Sequence, residues 1–204
     1  MSLRSLKNSL GTSLSCARVW MRYGIPMRVE GEERIMRTIF SSANVSEKNG
    51  KIKLKPSFMR PPNSPDEDDP SMMSNKLSTT RYDYAGMEFC RCHALHHQSE
   101  PIRHYWGFGK FVADDLVKPH EVSGLACSCT VKHKPVADNP AHANIILGFR
   151  LKEGETLDSR ISEYLKHLVG KAEVIKDPSP TSAQWNGGPV DKPKYKELTY
   201  KPKK

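Results

Sequence analysis

The sequence lacks any long hydrophobic run, and none of its apolar stretches approaches the roughly 20 residues that a membrane-spanning helix needs. We therefore predict that the protein has no membrane partner. Hydrophobic residues are also scarce, at 37% of the 204 residues, with a mean hydropathy of −0.63. Both values are low for a fully globular chain, so the composition favours a small domain with long polar flanks.

Cysteine is sparse and odd in number, with five residues: Cys16, Cys90, Cys92, Cys127 and Cys129. An odd number of cysteines, in a sequence without the pattern of a secretory signal, indicates reduced thiols rather than a disulfide framework. Reduced thiols are typical of intracellular compartments, and we predict a cytoplasmic location.

Acidic residues are absent before Glu30, whereas five basic residues lie in the same stretch: Arg4, Lys7, Arg18, Arg22 and Arg28. Four leucines recur there at helical spacing: Leu3, Leu6, Leu10 and Leu14. This pattern is typical of a mitochondrial transit peptide, which would place the protein in the mitochondrial matrix instead. The alternative is a bacterial reading frame that starts too early, since Met21, Met27 or Met36 could each be the true start. In both cases we predict that residues 1–26 lie outside the fold.

Proline is depleted in one part of the chain, and this part is the predicted domain. Only four of the 15 prolines lie within residues 76–176. Residues 76–175 are also nearly neutral, with 13 Lys+Arg against 12 Asp+Glu, whereas residues 1–60 carry a net charge of +8. We therefore predict a single domain at 76–176. Residues 27–75 are predicted to be a basic and then acidic, Pro-rich linker, and residues 177–204 a basic, Pro- and Lys-rich disordered tail.

Hydrophobic periodicity predicts both strands and helices within this domain. The predicted order is a strand at 77–81, a helix capped by Asp83 that runs to Gln98, strands at 104–113, 125–134 and 144–151, a helix from Leu157 to Gly170, and a strand at 172–175. Strands that outnumber helices in this order favour an α+β fold with a mainly antiparallel sheet. We predict two helices on one face of that sheet, for which a ferredoxin-like arrangement is one solution.

The sequence contains no nucleophilic-serine motif, no His-Glu-x-x-His and no phosphate-cradling glycine loop, so no motif identifies a reaction. The candidate catalytic residues are His142, Asp138 and Asp114. A histidine with an acidic partner can transfer protons, provided that the two groups lie within hydrogen-bond distance. The alternative is structural, because Asp-Asn-Pro at residues 138–140 is also typical of a turn.

Cysteine and histidine are concentrated in residues 90–97, and two further cysteines lie on the predicted strand 125–134. The candidate zinc ligands are Cys90, His93, Cys127 and Cys129, because thiolate and imidazole are the ligands that zinc prefers. On a helix, His93 would share one face with Cys90 or with His97. The alternative is that Cys127 and Cys129 are small core residues, a common role of free cysteine.

The segment Gly107-Phe-Gly-Lys-Phe-Val112 resembles the aromatic strand of the RNA-recognition motif, whose pattern is Lys/Arg-Gly-Phe/Tyr-Gly/Ala-Phe-Val. The resemblance implies that Trp106, Phe108 and Lys110 contact nucleic acid. The sequence departs from the pattern because Trp106 stands in place of the basic residue and Lys110 is inserted. The alternative, which we favour, is an aromatic core strand whose glycines allow close packing.

These observations together predict a non-enzymatic accessory or interaction protein without a cofactor. Its expected partner is another protein, or nucleic acid contacted through the basic flanks, and its oligomeric state stays open. The alternative is a small enzyme or zinc-binding domain that depends on His142 or on the Cys/His cluster.

Overall fold

A computed structural model gives the structure of the protein and describes residues 3–98, 104–182, 184–189, 192 and 198–200. The helices are α1 (Leu3–Tyr23), α2 (Tyr82–His96), α3 (Ala113–Val117) and α4 (Ser159–Val169). The strands are β1 (Arg34–Ile39), β2 (Val45–Lys48), β3 (Lys51–Leu54), β4 (Lys76–Arg81), β5 (Gly107–Val112), β6 (His120–Val122), β7 (Leu125–Cys127), β8 (Thr130–His133), β9 (His142–Ile146) and β10 (Glu173–Lys176). None of the helices in the described part of the chain combines the length and hydrophobicity that a membrane crossing requires.

Six strands form one sheet in the order β10-β5-β1-β4-β9-β8, and every neighbouring pair is antiparallel. The longest pairing joins β1 to β5, from Arg34 opposite Val112 to Ile39 opposite Gly107. The other strands form two hairpins, β2 with β3 and β6 with β7. The prediction of an α+β fold with a mainly antiparallel sheet is confirmed, whereas the ferredoxin-like arrangement is not.

The helices α2 and α4 pack against opposite faces of the sheet. Met36 and Phe108 are buried in one core with side chains of α2, whereas Ile35 and Phe111 are buried in a second core with side chains of α4. Ile35 and Met36 are neighbours on β1, and successive residues of a strand point to opposite faces. We call the two sides the α2 face and the α4 face. The expected arrangement of two helices on one face does not match these cores. Hydrophobic periodicity shows which side of a helix is buried, but it does not show which face of the sheet the helix covers.

The helix α4 follows its sequence pattern closely. Asp158 is the N-cap, and its Oδ1 accepts a hydrogen bond from the backbone N–H of Ile161 at 2.8 Å. Gly170 ends the helix, as its sequence position predicts. Leu165 and Leu168 are buried in the core of the α4 face. The capping groups and the apolar stripe therefore agree, and the predicted helix is observed.

The centre of the sheet includes β1, which comes from residues 27–75, the stretch predicted as a linker. β1 lies between β5 and β4, and its residues Ile35, Met36 and Ile39 are almost completely buried. The composition of the stretch conceals this strand, because β1 itself reads Arg-Ile-Met-Arg-Thr-Ile and lies among charged and Pro-rich neighbours. The alternating sequence Lys-Ile-Lys-Leu in the same stretch forms β3.

Two fully buried arginines hold the flanks of the predicted domain onto the sheet. Arg81 is ion-paired with Glu33 and donates to the backbone carbonyls of Pro26 and Arg28. Arg91 pairs with Asp177 at 2.7 Å. Its Nη2 also donates to three carbonyls of the following segment, those of Ser179, Pro180 and Ser182. Residues on both sides of 76–176 therefore supply hydrogen-bond partners to side chains of the core.

Two fragments of the chain should differ sharply in stability. A fragment of residues 25–182 contains all six strands of the main sheet and the buried ion pairs of Arg81 and Arg91. We expect this fragment to unfold cooperatively on heating. The fragment 76–176 lacks β1 and exposes the facing edges of β4 and β5, so we expect no cooperative transition. Circular dichroism during thermal unfolding distinguishes the two. Cooperative unfolding of fragment 76–176 would restore the domain boundary predicted from composition.

Candidate metal centre

Two histidines lie one helical turn apart near the end of α2. His93 and His97 are four residues apart and share a face of the helix, with their ring centroids 4.5 Å from each other. The helix ends here, where the backbone N–H of His97 donates to the carbonyl of His93 at 3.1 Å. Both side chains are partly buried against the sheet. The end of α2 therefore presents two imidazoles side by side.

Asp138 reaches the same place from the turn between β8 and β9. The backbones of Val136 and Asn139 exchange two hydrogen bonds of 3.1 Å, which close a two-residue turn that contains Asp138. The buried Asn139 fixes this turn to β4, because its Nδ2 donates to the hydroxyl of Thr80 at 2.8 Å. The expected turn at Asp-Asn-Pro thus serves to position the Asp138 carboxylate.

The three side chains form a group with the composition of a metal site. Asp138 Oδ2 lies 2.8 Å from His97 Nε2 and 3.9 Å from His93 Nε2, and the three candidate ligand atoms all lie within 4.8 Å of one another. Ligand atoms on one zinc ion lie about 2 Å from the metal and hence at most about 4 Å apart. Small side-chain rotations therefore suffice to bring all three atoms onto one ion.

Two of the three groups are in the protonation state at neutral pH that a metal ligand requires. Burial, with the neighbouring His97 ring, lowers the pKa of His93 from 6.5 to about 4, so this imidazole is neutral. Burial alone would raise the pKa of Asp138. The hydrogen bond from His97 and the nearby His93 instead hold that pKa below its ordinary value of 3.8, so the carboxylate is ionised. Metal ions require deprotonated ligand atoms, and these two are already deprotonated. His97 Nε2 donates the hydrogen bond to Asp138, so it would give up this proton when it binds the ion.

The group lies in a cleft of about 430 Å³ between the end of α2 and the sheet. Side chains of β1, β4 and β9 line this cleft, among them Thr38, Thr80 and His142. His142 Nδ1 lies 2.6 Å from the carbonyl of Lys134, so this nitrogen carries the proton and Nε2 carries the lone pair. Burial lowers the pKa of His142, which keeps the ring neutral. The cleft therefore combines a metal-type ligand group with a neutral imidazole.

Comparison of the chain with protein-family models, with curated proteins and with solved structures finds no match. The geometry of the cleft is therefore the basis for assigning a function.

The candidate catalytic residues are brought together in part. His142 and Asp138 both line the cleft, and Asp138 is directly hydrogen-bonded to His97. Asp114 lies elsewhere, in α3, where its backbone N–H donates to the carbonyl of Gly31 at 2.8 Å. Asp114 follows β5, which ends at a different place in the fold from the β8–β9 turn. Sequence separation alone does not show which strand ends lie close together.

The four candidate zinc ligands do not come together, because the sheet separates them. Cys90 is buried in the core of the α2 face, whereas Cys127 and Cys129 are buried in the core of the α4 face. Burial raises the pKa of Cys129, and its Sγ lies 3.5 Å from the hydroxyl of Tyr164. His93 alone belongs to the metal-type group. Cys127 ends β7, and Cys129 lies in the break between β7 and β8 that interrupts the predicted strand 125–134. Both occupy core positions, in line with the alternative considered for them.

The candidate nucleic-acid residues do not form a stacking surface. Phe108 is 1% exposed and lies 5.3 Å, centroid to centroid, from Tyr105 in the core of the α2 face. Lys110 is ion-paired with Glu173 at 2.7 Å, and Lys176 lies over the ring of Trp106. A base cannot stack on Phe108 without displacing core side chains, so the resemblance to the aromatic strand of the RNA-recognition motif does not extend to its surface.

The zinc ligands predicted from the sequence do not include His97 or Asp138. The sequence also does not place Asp138 beside α2. The spacing of His93 and His97 does indicate a shared helix face. The third ligand, however, lies 41 residues farther along the chain than His97, and no spacing rule joins a helix to a distant turn.

Proposed function

We propose that this protein is a metal-dependent enzyme that binds one divalent transition-metal ion, of the zinc class, through His93, His97 and Asp138. The observation that supports the proposal is the approach of two imidazole nitrogens and one carboxylate oxygen to within 4.8 Å of one another in a cleft. Two nitrogen donors and one oxygen donor suit zinc and ferrous iron much better than magnesium or calcium.

The number of ligands favours a catalytic site over a structural one. Structural zinc sites are closed by four protein ligands, whereas catalytic sites have three and leave the fourth position to water or substrate. Among the residues that the structure describes, the group has three members, and it lies in a cleft of about 430 Å³, within the size range of small-molecule sites. An ion at this site would lower the pKa of a bound water molecule, and the neutral His142 in the same cleft would be available to accept the proton.

Removal of one ligand should strongly weaken metal binding. We expect isothermal titration calorimetry of the chelator-treated full chain to show one Zn²⁺ per chain, with much weaker binding of Mg²⁺. His97→Ala and Asp138→Ala should each weaken zinc binding by at least roughly 100-fold, since even groups that only orient a ligand contribute 10–100-fold. The double change Cys127→Ala, Cys129→Ala should leave the stoichiometry unchanged.

His96 provides a matched control on the same helix turn. It is exposed, and its ring lies 5.3 Å from that of His97, yet it is outside the metal-type group. His96→Ala should therefore bind zinc as the unchanged chain does. An equal loss in His96→Ala and His97→Ala would indicate nonspecific binding by a histidine-rich surface and would contradict the proposal.

The open coordination position can be tested separately with cobalt. The Co²⁺-loaded protein should show visible absorption bands that shift when a small anion such as azide is added, because the anion enters the free position. A site closed by four protein ligands would give bands that do not respond. Unresponsive bands would reassign the site as structural.

A further inference from the structure

The helix α1 directs an apolar stripe away from the protein. Leu14, Trp20 and Met21 are 62%, 58% and 73% exposed. Leu14 and Met21 are seven residues apart and therefore lie on the same side of the helix. The opposite side contacts the fold through Cys16, which is only 4% exposed and whose Sγ lies 3.8 Å from the carbonyl of His133. A surface helix ordinarily buries its apolar stripe, so this outward orientation needs an explanation.

The charged residues of α1 itself are all of one sign. α1 contains four basic residues, Arg4, Lys7, Arg18 and Arg22, and no acidic residue. Arg18 and Arg22 are exposed, and each lies within one helical turn of Leu14 or Met21. A second copy of this helix placed on the stripe would bring arginine against arginine. The surface is therefore unsuited to self-association and complementary to an anionic apolar surface.

We infer that α1 is a docking surface for anionic lipid, lying in the plane of the membrane with its apolar stripe inserted. Surface-lying helices combine a basic polar side with exposed leucine, methionine and tryptophan, and they need no membrane-spanning length. Anionic headgroups attract exposed arginines, and tryptophan is favoured at the boundary between headgroups and acyl chains. This inference departs from the expectation of no membrane partner, which rested on the absence of an apolar run long enough to span a membrane.

Vesicle flotation of the full chain tests this inference. We expect binding to vesicles of equal parts phosphatidylcholine and phosphatidylglycerol, and at least roughly tenfold weaker binding to phosphatidylcholine alone. Leu14→Ser with Met21→Ser should weaken binding to the anionic vesicles by at least roughly tenfold, because the inserted apolar area is lost. Arg18→Gln with Arg22→Gln should weaken it by roughly 30-fold and abolish the preference for anionic lipid.

Val117→Ser is the matched control, since Val117 is 42% exposed on α3 rather than α1. This variant should float as the unchanged chain does. The inference is overturned if the chain fails to float with anionic vesicles, or if it floats equally with both lipid compositions. It is also overturned if the Leu14/Met21 variant binds normally, or if light scattering shows a dimer that this variant dissociates. The altered side chains are exposed, so unchanged thermal unfolding will exclude a folding defect.

Discussion

Acidification of the metal-free protein from pH 7 to pH 4 is expected to lower the free energy of unfolding by about 6 kcal/mol. Burial lowers the pKa of both His93 and His133 from 6.5 to about 4. For each imidazole this difference corresponds to about 3 kcal/mol, at about 1.4 kcal/mol per pH unit. The loss is comparable to the whole stability of an ordinary domain, so we expect acid unfolding near pH 4.

The direction follows from which state binds protons. Between pH 6.5 and about 4 the unfolded chain protonates both imidazoles, whereas the folded chain does not. The contribution of the two neutral imidazoles to the free energy of unfolding is therefore fully present above pH 6.5, and it decreases as the pH falls toward 4. His133 has a specific structural reason: its Nδ1 donates to the carbonyl of His142 at 3.1 Å, and its Nε2 is buried without a hydrogen-bond partner among the described residues. A proton on Nε2 would add a buried charge beside Arg81.

Urea unfolding at half-unit pH intervals measures this dependence. His93→Gln and His133→Asn should each clearly reduce the slope between pH 6.5 and 4, because each substitution removes one titrating group. His142, whose pKa is also lowered by burial, contributes to the slope that remains. His104→Gln alters an exposed histidine and should leave the slope unchanged. A stability that stays flat between pH 6.5 and 4 would show that neither imidazole is held neutral by the fold.

Arg81→Met is expected to destabilise the protein by about 3–5 kcal/mol, the usual effect of removing one partner of a buried ion pair. Arg81 is fully buried, and Glu33 is 4% exposed. Without the guanidinium, the Glu33 carboxylate would remain buried with its charge unpaired. The carbonyls of Pro26 and Arg28 would also lose their donors. The effect should appear as a lower midpoint in urea unfolding with little change in slope.

Two further variants distinguish the effect of losing the buried ion pair from the effect of losing any arginine charge. Arg160→Met removes an exposed arginine whose ion pair with Asp158 is also exposed, and it should change stability by less than about 1 kcal/mol. The double change Arg81→Met, Glu33→Leu should recover much of the lost stability, because it removes the unpaired charge. Equal effects of Arg81→Met and Arg160→Met would contradict the role assigned to the buried pair.

The sequence by itself determined the elements whose formation depends on neighbouring residues. The helix α4 is one example, because its cap Asp158, its apolar stripe and its terminal Gly170 are local features. The antiparallel α+β class follows from the number and order of such elements. The pairing of His93 with His97 on one helix face is local as well, since it depends only on a spacing of four residues.

The tertiary structure decided which distant segments meet. β1 lies in a basic stretch that resembles a linker in composition, and it becomes the centre of the sheet only because β4 and β5 pair with it on either side. Asp138 joins the two histidines only because α2 and the β8–β9 turn lie on the same side of β4. Cys127 and Cys129 are separated from Cys90 because α2 and α4 cover opposite faces of the sheet. Such contacts depend on the burial of apolar area summed over the whole chain, which no local pattern of residues encodes.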